Sequence, residues 1–240
     1  MSGGAYSALS GMRTRLEELD RIAADLANVS TAGYKIERAG TLSSERGGFS
    51  SALESAVDVV AGQAQIDFRP GTIATTGRDL DVAIDGRGFF VVETPAGERY
   101  TRNGSFSRRA DGLLTTSQGE PVLGEGGAEI KLGKGPITIE SDGTLKSGAT
   151  VLGKLQIVQF EQDSDLVRES GARFKAIAGA TPESVEATLL GGALEQSNAS
   201  VVDLMAKLTE VSRGFESLQR GVSTLQNDLD QRAITEFARR

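Results

Sequence analysis

The chain contains no cysteine and no histidine among its 240 residues. Without cysteine it can form neither a disulfide nor a thiolate metal site. Without histidine it lacks the commonest general base and metal ligand, and a serine-histidine-aspartate triad is impossible. A metal site would need oxygen ligands alone, such as Asp79, Asp81 and Asp85, and a solvated turn is the stronger interpretation of that segment. We therefore predict no catalytic residue, no cofactor and no metal.

Long apolar runs and long basic runs are missing as well. The strongest apolar stretch, residues 89–92, is far shorter than the roughly 20 residues that a membrane-spanning helix needs. The net charge is -7, which argues against nucleic acid and against anionic membranes as partners. Near the N-terminus, Arg13, Arg15 and Glu17 interrupt any run of signal-peptide length. We expect a soluble protein without a cleavable signal, without a nucleic-acid partner and without direct membrane insertion.

The first pattern that is present lies near the N-terminus. Apolar residues recur there at alternating intervals of three and four, which is typical of one face of a helix. They are Leu9, Met12, Leu16, Leu19, Ala23 and Leu26. Ser30, Thr31 and Gly33 follow, and weak helix formers with a glycine that tolerates positive φ predict a helix end near residues 28–31.

A longer pattern of the same kind occupies the C-terminal region. Its members are Val201, Leu204, Leu208, Val211, Phe215, Leu218, Val222, Leu225 and Leu229. Ser200 with Asp203 three residues later resembles a capping box, so we predict a helix from about Ser200 to Phe237. At 1.5 Å per residue this helix is roughly 55 Å long, too long for the interior of a small domain. We expect the two terminal helices to pair as a coiled-coil-like stem.

The middle of the chain has a different pattern. Between Gly62 and Glu161, short β-branched or aromatic runs alternate with glycine-containing turn dipeptides, which is typical of hairpins. The turn candidates are Asn103-Gly104, Asp111-Gly112 and Asp142-Gly143. The predicted fold class is α+β, with long N- and C-terminal helices and an inserted all-β domain. The predicted boundaries are 1–36 and 195–240 for the terminal helical domain, 37–66 for a linker and 67–194 for the β domain.

Four separated segments then resemble the bacterial flagellar rod and hook protein family. They are LANVSTAGYK at 26–35 and the stretches 67–92, 99–124 and 191–219. The family's turn motif matches Asn28, Thr31, Gly33 and Tyr34. Its later motifs match Gly71, Thr76, Gly77, Leu80, Asp81, Ala83, Ile84, Gly86, Gly88, Phe89, Phe90, Tyr100, Thr101, Arg102, Gly104, Phe106, Gly112, Gly119, Gly192, Leu194, Glu195, Ser197 and Asn198. The resemblance covers nearly the whole chain in the right order.

This resemblance implies a non-enzymatic structural subunit of the basal-body rod, the periplasmic axial shaft that transmits torque. It implies that the two apolar seams are the assembly surface, in contact with copies of this chain and with neighbouring rod proteins. It also implies passage through the flagellum's own type III export apparatus, which needs no cleavable signal. The short stretch between Tyr34 and Asp67 is more similar to the proximal-rod type than to the distal-rod type.

Three alternatives stay open on the sequence. The first is a distal-rod subunit of the same family. The second is a secreted hydrolase that uses a carboxylate pair, since any two of the 33 acidic residues could meet in a cleft. The third is a coiled-coil adhesin, which the helical seams alone would equally allow.

Overall fold

The computed structural model describes residues 2–39 and 64–237. Side chains are described within residues 10–38, 65–162 and 164–224. The chain divides into two compact units. One, called here the helical unit, contains both terminal helices. The other, called the β unit, is formed by residues 28–37 and 66–199. Most of the predicted linker 37–66 lies outside the described residues.

The first helix, α1, spans Ser2–Ala27. It ends one residue before the predicted range. A turn follows at once, because the Thr31 N–H donates to the Asn28 carbonyl oxygen at 3.0 Å. Gly33 has a φ of 68°, in the left-handed region that the sequence predicted for this position. The helix end predicted from these weak helix formers is thus confirmed to within one residue.

The second helix, α2, spans Val201–Phe237. It begins where the capping pattern predicts, since the Asp203 N–H donates to Ser200 Oγ at 3.4 Å and so satisfies one of the free donors of the first turn. The predicted bounds of this helix are confirmed. Neither helix in the described ranges combines the length and the apolar character that crossing a bilayer requires.

The predicted coiled-coil-like stem is wrong. The described residues hold two α-helices, two short 3-10 helices and nineteen strands. The α-helices contact each other, but they bury only part of the predicted seams. Leu16 is 47% exposed and Val201 39%, whereas a coiled coil places each such side chain in a hole of its partner. Among the described side chains of α1, the buried ones are Ile22 and Asp25, which lie outside the seam. Periodicity marks an amphipathic face, but it does not determine what covers that face.

The strands are short, as the closely spaced turn signals predict. The first ten are β1 Glu37–Ala39, β2 Ala64–Ile66, β3 Ile73–Thr75, β4 Val82–Asp85, β5 Phe89–Thr94, β6 Gly97–Thr101, β7 Phe106–Arg108, β8 Leu114–Thr116, β9 Leu123–Gly124 and β10 Ala128–Glu129. The others are β11 Thr138–Ile139, β12 Thr144–Ser147, β13 Thr150–Lys154, β14 Ile157–Gln159, β15 Leu166–Ser170, β16 Arg173–Ala176, β17 Glu183–Ser184, β18 Thr188–Gly191 and β19 Ala193–Glu195.

The largest sheet has six strands in the order β15, β16, β6, β5, β14, β17. At its centre β5 and β6 form a hairpin, in which Phe90 lies opposite Thr101 and Glu93 opposite Glu98. The other strands form smaller ladders, including β11-β12-β13 and the pair β7-β8. β18 pairs with β4 and β19 with β3, so the last two strands before α2 return to the early strands of the β unit.

The hydrophobic core of the β unit consists of two clusters that share strand β5. Successive side chains on a strand point to opposite faces. Phe90 and Val92 therefore belong to one cluster, and Phe89 and Val91 to the other. All four are buried, which explains why the run FFVV is continuously apolar instead of alternating with polar residues.

Two of the three predicted turns are confirmed. Asp111-Gly112 joins β7 to β8 and Asp142-Gly143 joins β11 to β12, and each glycine has a φ of 89°. The predicted hairpin turn at Asn103-Gly104 is wrong, because β6 and β7 pair with different strands. Gly104 instead lets two backbones approach, since a Cβ there would lie 1.7 Å from the Val82 carbonyl oxygen.

The acidic segment considered as a solvated turn is partly buried. Asp81 is fully buried and accepts a hydrogen bond from Thr76 Oγ1 at 2.7 Å. Arg78 lies 3.4 Å from its other oxygen. The solvated-turn interpretation is therefore wrong for this residue. Among the described side chains, no three acidic residues converge in a way that could hold a metal ion.

Candidate functional site

The exit segment, residues 28–37, carries the chain from α1 into the β unit. Its turn is closed by the Tyr34 N–H, which donates to the Thr31 carbonyl oxygen at 3.2 Å. The Gly33 N–H donates to the Glu195 carbonyl oxygen at 2.7 Å. The turn motif therefore delivers the exit segment directly to the return segment, the stretch that ends the β unit before α2.

Lys35 and Glu195 form a buried ion pair between side chains 160 residues apart in sequence. Lys35 Nζ donates to Glu195 Oε1 at 2.5 Å and to the Arg69 carbonyl oxygen at 3.0 Å. The Gly71 N–H donates to the same Oε1 at 3.0 Å. The pair therefore joins the exit segment, the return segment and the loop before β3.

Arg102 is the second basic group at Glu195. Its Nη1 lies 3.4 Å from Glu195 Oε2, its Nη2 donates to the Gly86 carbonyl oxygen at 2.8 Å, and its guanidinium lies 5.3 Å from the centre of the Phe89 ring. A buried carboxylate is stable only where opposite charges and hydrogen-bond donors replace water. Glu195 has two basic groups and a backbone donor for this purpose.

Asn198 adds a neutral bridge beside the ion pair. Its side chain can both accept and donate. Asn198 Oδ1 accepts from the Ile36 N–H at 2.9 Å, and its Nδ2 donates to the Asp67 carbonyl oxygen at 2.7 Å. Its own N–H donates to the Tyr34 carbonyl oxygen at 3.3 Å. We call Lys35, Arg102, Glu195 and Asn198 together the clasp.

Arg168 covers the exit segment from the side of the large sheet. Its guanidinium lies 4.4 Å from the centre of the buried Tyr34 ring, and its Nε lies 2.7 Å from Glu37 Oε1. It also donates to the Lys35 carbonyl oxygen. A planar guanidinium can stack on an aromatic ring while its edge donates hydrogen bonds, which a lysine could not do.

The electrostatics of the clasp suit a structural role. Burial lowers the pKa of the Lys35 amine, and the hydrogen bond and charge of Glu195 act in the opposite direction. Lys35 directs its donors at Glu195 and at a backbone carbonyl, and Glu195 accepts from both Lys35 and backbone. The arrangement therefore holds three chain segments together.

The residues predicted as an assembly seam have different environments. Leu204 and Val211 are buried, and Leu16 and Val201 are exposed. The half-buried members are Met12, Leu19, Leu26, Leu208, Phe215, Leu218 and Val222. The side chains of Leu9, Leu225 and Leu229 lie outside the described residues. The assembly role of the seam therefore stays a prediction.

Two residues of this site had no separate signal in the sequence. Lys35 ends the segment 26–35 that carries the family resemblance, but a lysine in a polar context is normally exposed. Arg168 lies in no recognised motif, and its partners in the exit segment, Glu37 and Lys35, are more than 130 residues away. The sequence could predict that such a basic residue is buried only if the acidic residue that pairs with it were already known.

Comparisons with known proteins cover most of this chain. Residues 83–147 match the family model described as flagellar hook protein FlgE/F/G D1 domain. Residues 190–235 match the model described as flagellar basal body rod FlgEFG protein C-terminal. The flagellar basal-body rod protein FlgF of Caulobacter vibrioides is 34% identical over 227 residues, which is 92% of each chain. The chain belongs to the flagellar basal-body rod protein family.

Further rod proteins align over nearly the full length. FlgF of Salmonella typhimurium is 32% identical and covers 95% of this chain and 96% of its own. FlgG of Bacillus subtilis is 31% identical and covers 94% of this chain and 96% of its own. As a basal-body rod protein, the chain is a structural component of the flagellar basal body, and the FlgF type is favoured over the FlgG type. Of the clasp, Arg102, Glu195 and Asn198 lie within the matched family models, and Lys35 lies outside them.

Proposed function

We propose that this chain is an FlgF-type rod subunit that polymerises through its terminal helices. Its neighbours in the proposal are copies of itself and adjacent rod proteins, and together they form the axial shaft that transmits torque. The subunit acts mechanically, without catalysis. Family membership over 92% of the chain supports the assignment to the rod.

The observation that carries the assembly mode is apolar surface on the helices. Val202 is 77% exposed and Met205 53%, and they lie three residues apart on α2, within one turn. Leu16 on α1 and Val201 on α2 are also exposed. Single exposed apolar residues are normal on a protein surface, but a group on a helix marks an interaction surface. These side chains therefore extend the predicted seam as candidates for contact with a neighbour.

The clasp supports the same proposal from the β unit. It fixes the exit segment against the return segment through the Lys35–Glu195 pair and the Gly33–Glu195 backbone bond. The two chain segments that lead to α1 and α2 are thereby held at one place in the β unit. A subunit that transmits force needs such a connection, because a loose junction would yield before force reached the neighbouring subunit.

The test places a charge on the helical surface. In full-length chain, Val202→Asp should leave the circular dichroism of the free protein unchanged, since the side chain is exposed. It should lower incorporation into basal bodies by at least about tenfold, because an aspartate buried at a subunit contact costs more than 1.4 kcal/mol. The measurement is the amount of the chain in purified basal bodies, with motility as a second readout.

Val151→Asp is the matched control. Val151 is also exposed, at 59%, but it lies on β13 in the β unit. The same chemical change there should leave incorporation unchanged. Normal incorporation of both the Val202→Asp chain and a Leu16→Asp chain would exclude assembly through the helices.

A further inference from the structure

A cavity lies at one end of the β5-β6 hairpin. Its volume is about 280 Å³, close to the lower end of the range for small binding pockets, which begins at about 300 Å³. Its apolar lining includes Phe68, Phe89 and Phe160. Three arginines, Arg69, Arg87 and Arg102, also belong to the lining. The cavity therefore combines an aromatic interior with a basic rim.

The described residues that line this cavity include three arginines and no carboxylate. Arg69 is paired with Asp67, and Arg102 shares Glu195 with Lys35. Arg87 is exposed and forms no ion pair with any described residue. Of the three arginines in the lining, two thus have an acidic partner, and Arg87 contributes one positive charge that no described carboxylate balances. This excess is unusual in a chain whose net charge is -7.

The opposite end of the same hairpin is acidic. Glu93 and Glu98 lie directly across from each other on β5 and β6, are exposed, and form no ion pair within the described residues. Like charges at directly opposed positions of two strands repel each other. The basic groups nearby, Arg99 and Arg173, are already engaged with Glu169, and Arg173 also pairs with Glu120.

The end of this hairpin is short and exposed. Pro95 and Ala96 form its two-residue connection, and both are exposed. The tip thus presents two small apolar side chains with a carboxylate on each strand beside them. The cavity is its complement, an apolar interior with basic groups around it. The two lie at opposite ends of strands that rise about 3.3 Å per residue, roughly 15 Å apart.

We infer that the hairpin tip of one copy, residues 93–98, docks into this cavity of a second copy. Because the two surfaces lie on opposite ends of one hairpin, the contact is head-to-tail. A head-to-tail contact leaves one tip and one cavity free at each step, so it can be repeated along an axis. The inference rests on the proposed function, since it adds a contact of the β unit to an assembly held by the helices.

Charge exchange tests the inference in solution. Arg87→Glu makes the cavity rim acidic, and Glu93→Arg with Glu98→Arg makes the tip basic. Each variant alone should associate weakly, because its own tip and cavity then carry like charges. An equimolar mixture should associate at least about tenfold more tightly than either variant, because each cavity meets a tip of opposite charge. Sedimentation velocity of the full-length chains at low ionic strength measures this.

Lys134→Glu is the control for net charge. Lys134 is exposed and lies outside the cavity, and the substitution changes the net charge by the same amount as Arg87→Glu. A mixture that contains Lys134→Glu in place of Arg87→Glu should show no such gain. A mixture of the cavity and tip variants that associates no better than either alone overturns the inference.

Cysteine bridging tests the same contact in the assembled rod. The chain has no cysteine of its own, so Arg87→Cys and Ala96→Cys introduce the only thiols. In purified basal bodies, a short bifunctional maleimide should convert the double variant into a ladder of multimers. Neither single variant should be bridged, whereas a mixture of the two should give dimers.

The outcomes separate this inference from the proposed function. A chain that is incorporated into basal bodies but gives no ladder overturns the docking contact and leaves the rod function standing. Bridging of Arg87→Cys chains to one another would show a contact between identical surfaces and would also overturn it. If neither the variant nor wild-type chain treated in the same way is incorporated into basal bodies, the result contradicts both the docking contact and the proposed function.

Discussion

Gly33 meets two constraints that only glycine satisfies. Its φ of 68° lies in the left-handed region, and a Cβ there would lie 2.3 Å from the Arg102 carbonyl carbon. Gly77 has a similar φ of 73°, but a Cβ would meet nothing within 4 Å. These two glycines therefore separate the cost of the backbone conformation from the cost of the steric clash.

We predict that Gly77→Ala lowers the free energy of unfolding by about 1–2 kcal/mol, the cost of a left-handed residue with a side chain. Gly33→Ala should lower it by more, because the exit segment must also move away from Arg102. Chemical denaturation of the full-length chains measures both values. Equal losses for the two variants would show that the close approach at Gly33 contributes nothing.

The ion pair in the clasp is a second prediction at the scale of single residues. Glu195→Gln keeps the size of the side chain but leaves Lys35 and Arg102 buried without their carboxylate. Breaking a buried pair from one side costs about 3–5 kcal/mol, and we expect a loss of that order in the free energy of unfolding. Glu140→Gln breaks the more exposed Lys146–Glu140 pair and should cost less than about 1 kcal/mol.

The pH dependence of the stability of Glu195→Gln follows from Lys35. Burial already lowers the pKa of Lys35 in the folded chain, and removal of Glu195 lowers it further. Because the folded pKa lies below the unfolded one, the unfolded chain binds the proton more tightly. Stability then rises with pH towards the ordinary lysine pKa and falls as pH decreases. Denaturation of Glu195→Gln at neutral pH and at about pH 9.5 should show this rise more clearly than wild type.

At the scale of elements, the turns are stabilised by hydrogen bonds between residues that are close in sequence. In the β7-β8 turn the hydrogen bonds from Arg109 lower the pKa of Asp111 to about 2, and the Leu113 N–H adds to the effect. The folded pKa lies below the unfolded one. The stabilising effect is therefore complete above the ordinary aspartate pKa and is lost as pH falls towards 2.

We predict that Asp111→Asn makes the stability of the chain less sensitive to acid. The variant no longer has a carboxylate that must be protonated in this turn. The measurement is thermal denaturation between about pH 5 and pH 2.5, together with NMR titration of the Asp111 carboxyl in wild type. An Asp111 that titrates near the ordinary aspartate pKa would contradict the role assigned to Arg109.

At the scale of helices, the bounds of α2 were predictable and its surroundings were not. Ser200 and Asp203 lie within one turn of each other, so the capping pattern contains all the information that sets the helix start. The environment of Leu16 or Val201 depends on segments far away in sequence. Both proved exposed, and Ile22, outside the predicted seam, proved buried.

For the whole molecule, the division into a helical unit and a β unit gives the two proposals separate tests. The Val202→Asp and Val151→Asp pair compares one substitution across the two units. The exchange of Arg87 against Glu93 and Glu98 tests a contact that lies in the β unit alone. Failure of one test leaves the other interpretable, since the substituted side chains are exposed and break no contact of the clasp.

The sequence by itself determined the local features of this protein. It predicted the end of α1, the bounds of α2 and the turns at Asp111-Gly112 and Asp142-Gly143. These features depend on backbone conformations and hydrogen bonds within a few residues, so the residues next to each other in sequence are enough to predict them. The family motifs also included Gly33 and Glu195, in two separate segments, and nothing in the sequence showed that they touch.

Only the tertiary structure decided which polar residues are buried and which apolar residues are not. Lys35 and Arg168 are typical surface residues in sequence, but the strands that return before α2 and the large sheet bury Lys35 completely and Arg168 in part. Asn103-Gly104 has the composition of a hairpin turn, but Val82 packs against it and the backbone passes by without turning back. Burial depends on contacts between distant segments, and residue type and spacing alone do not contain that information.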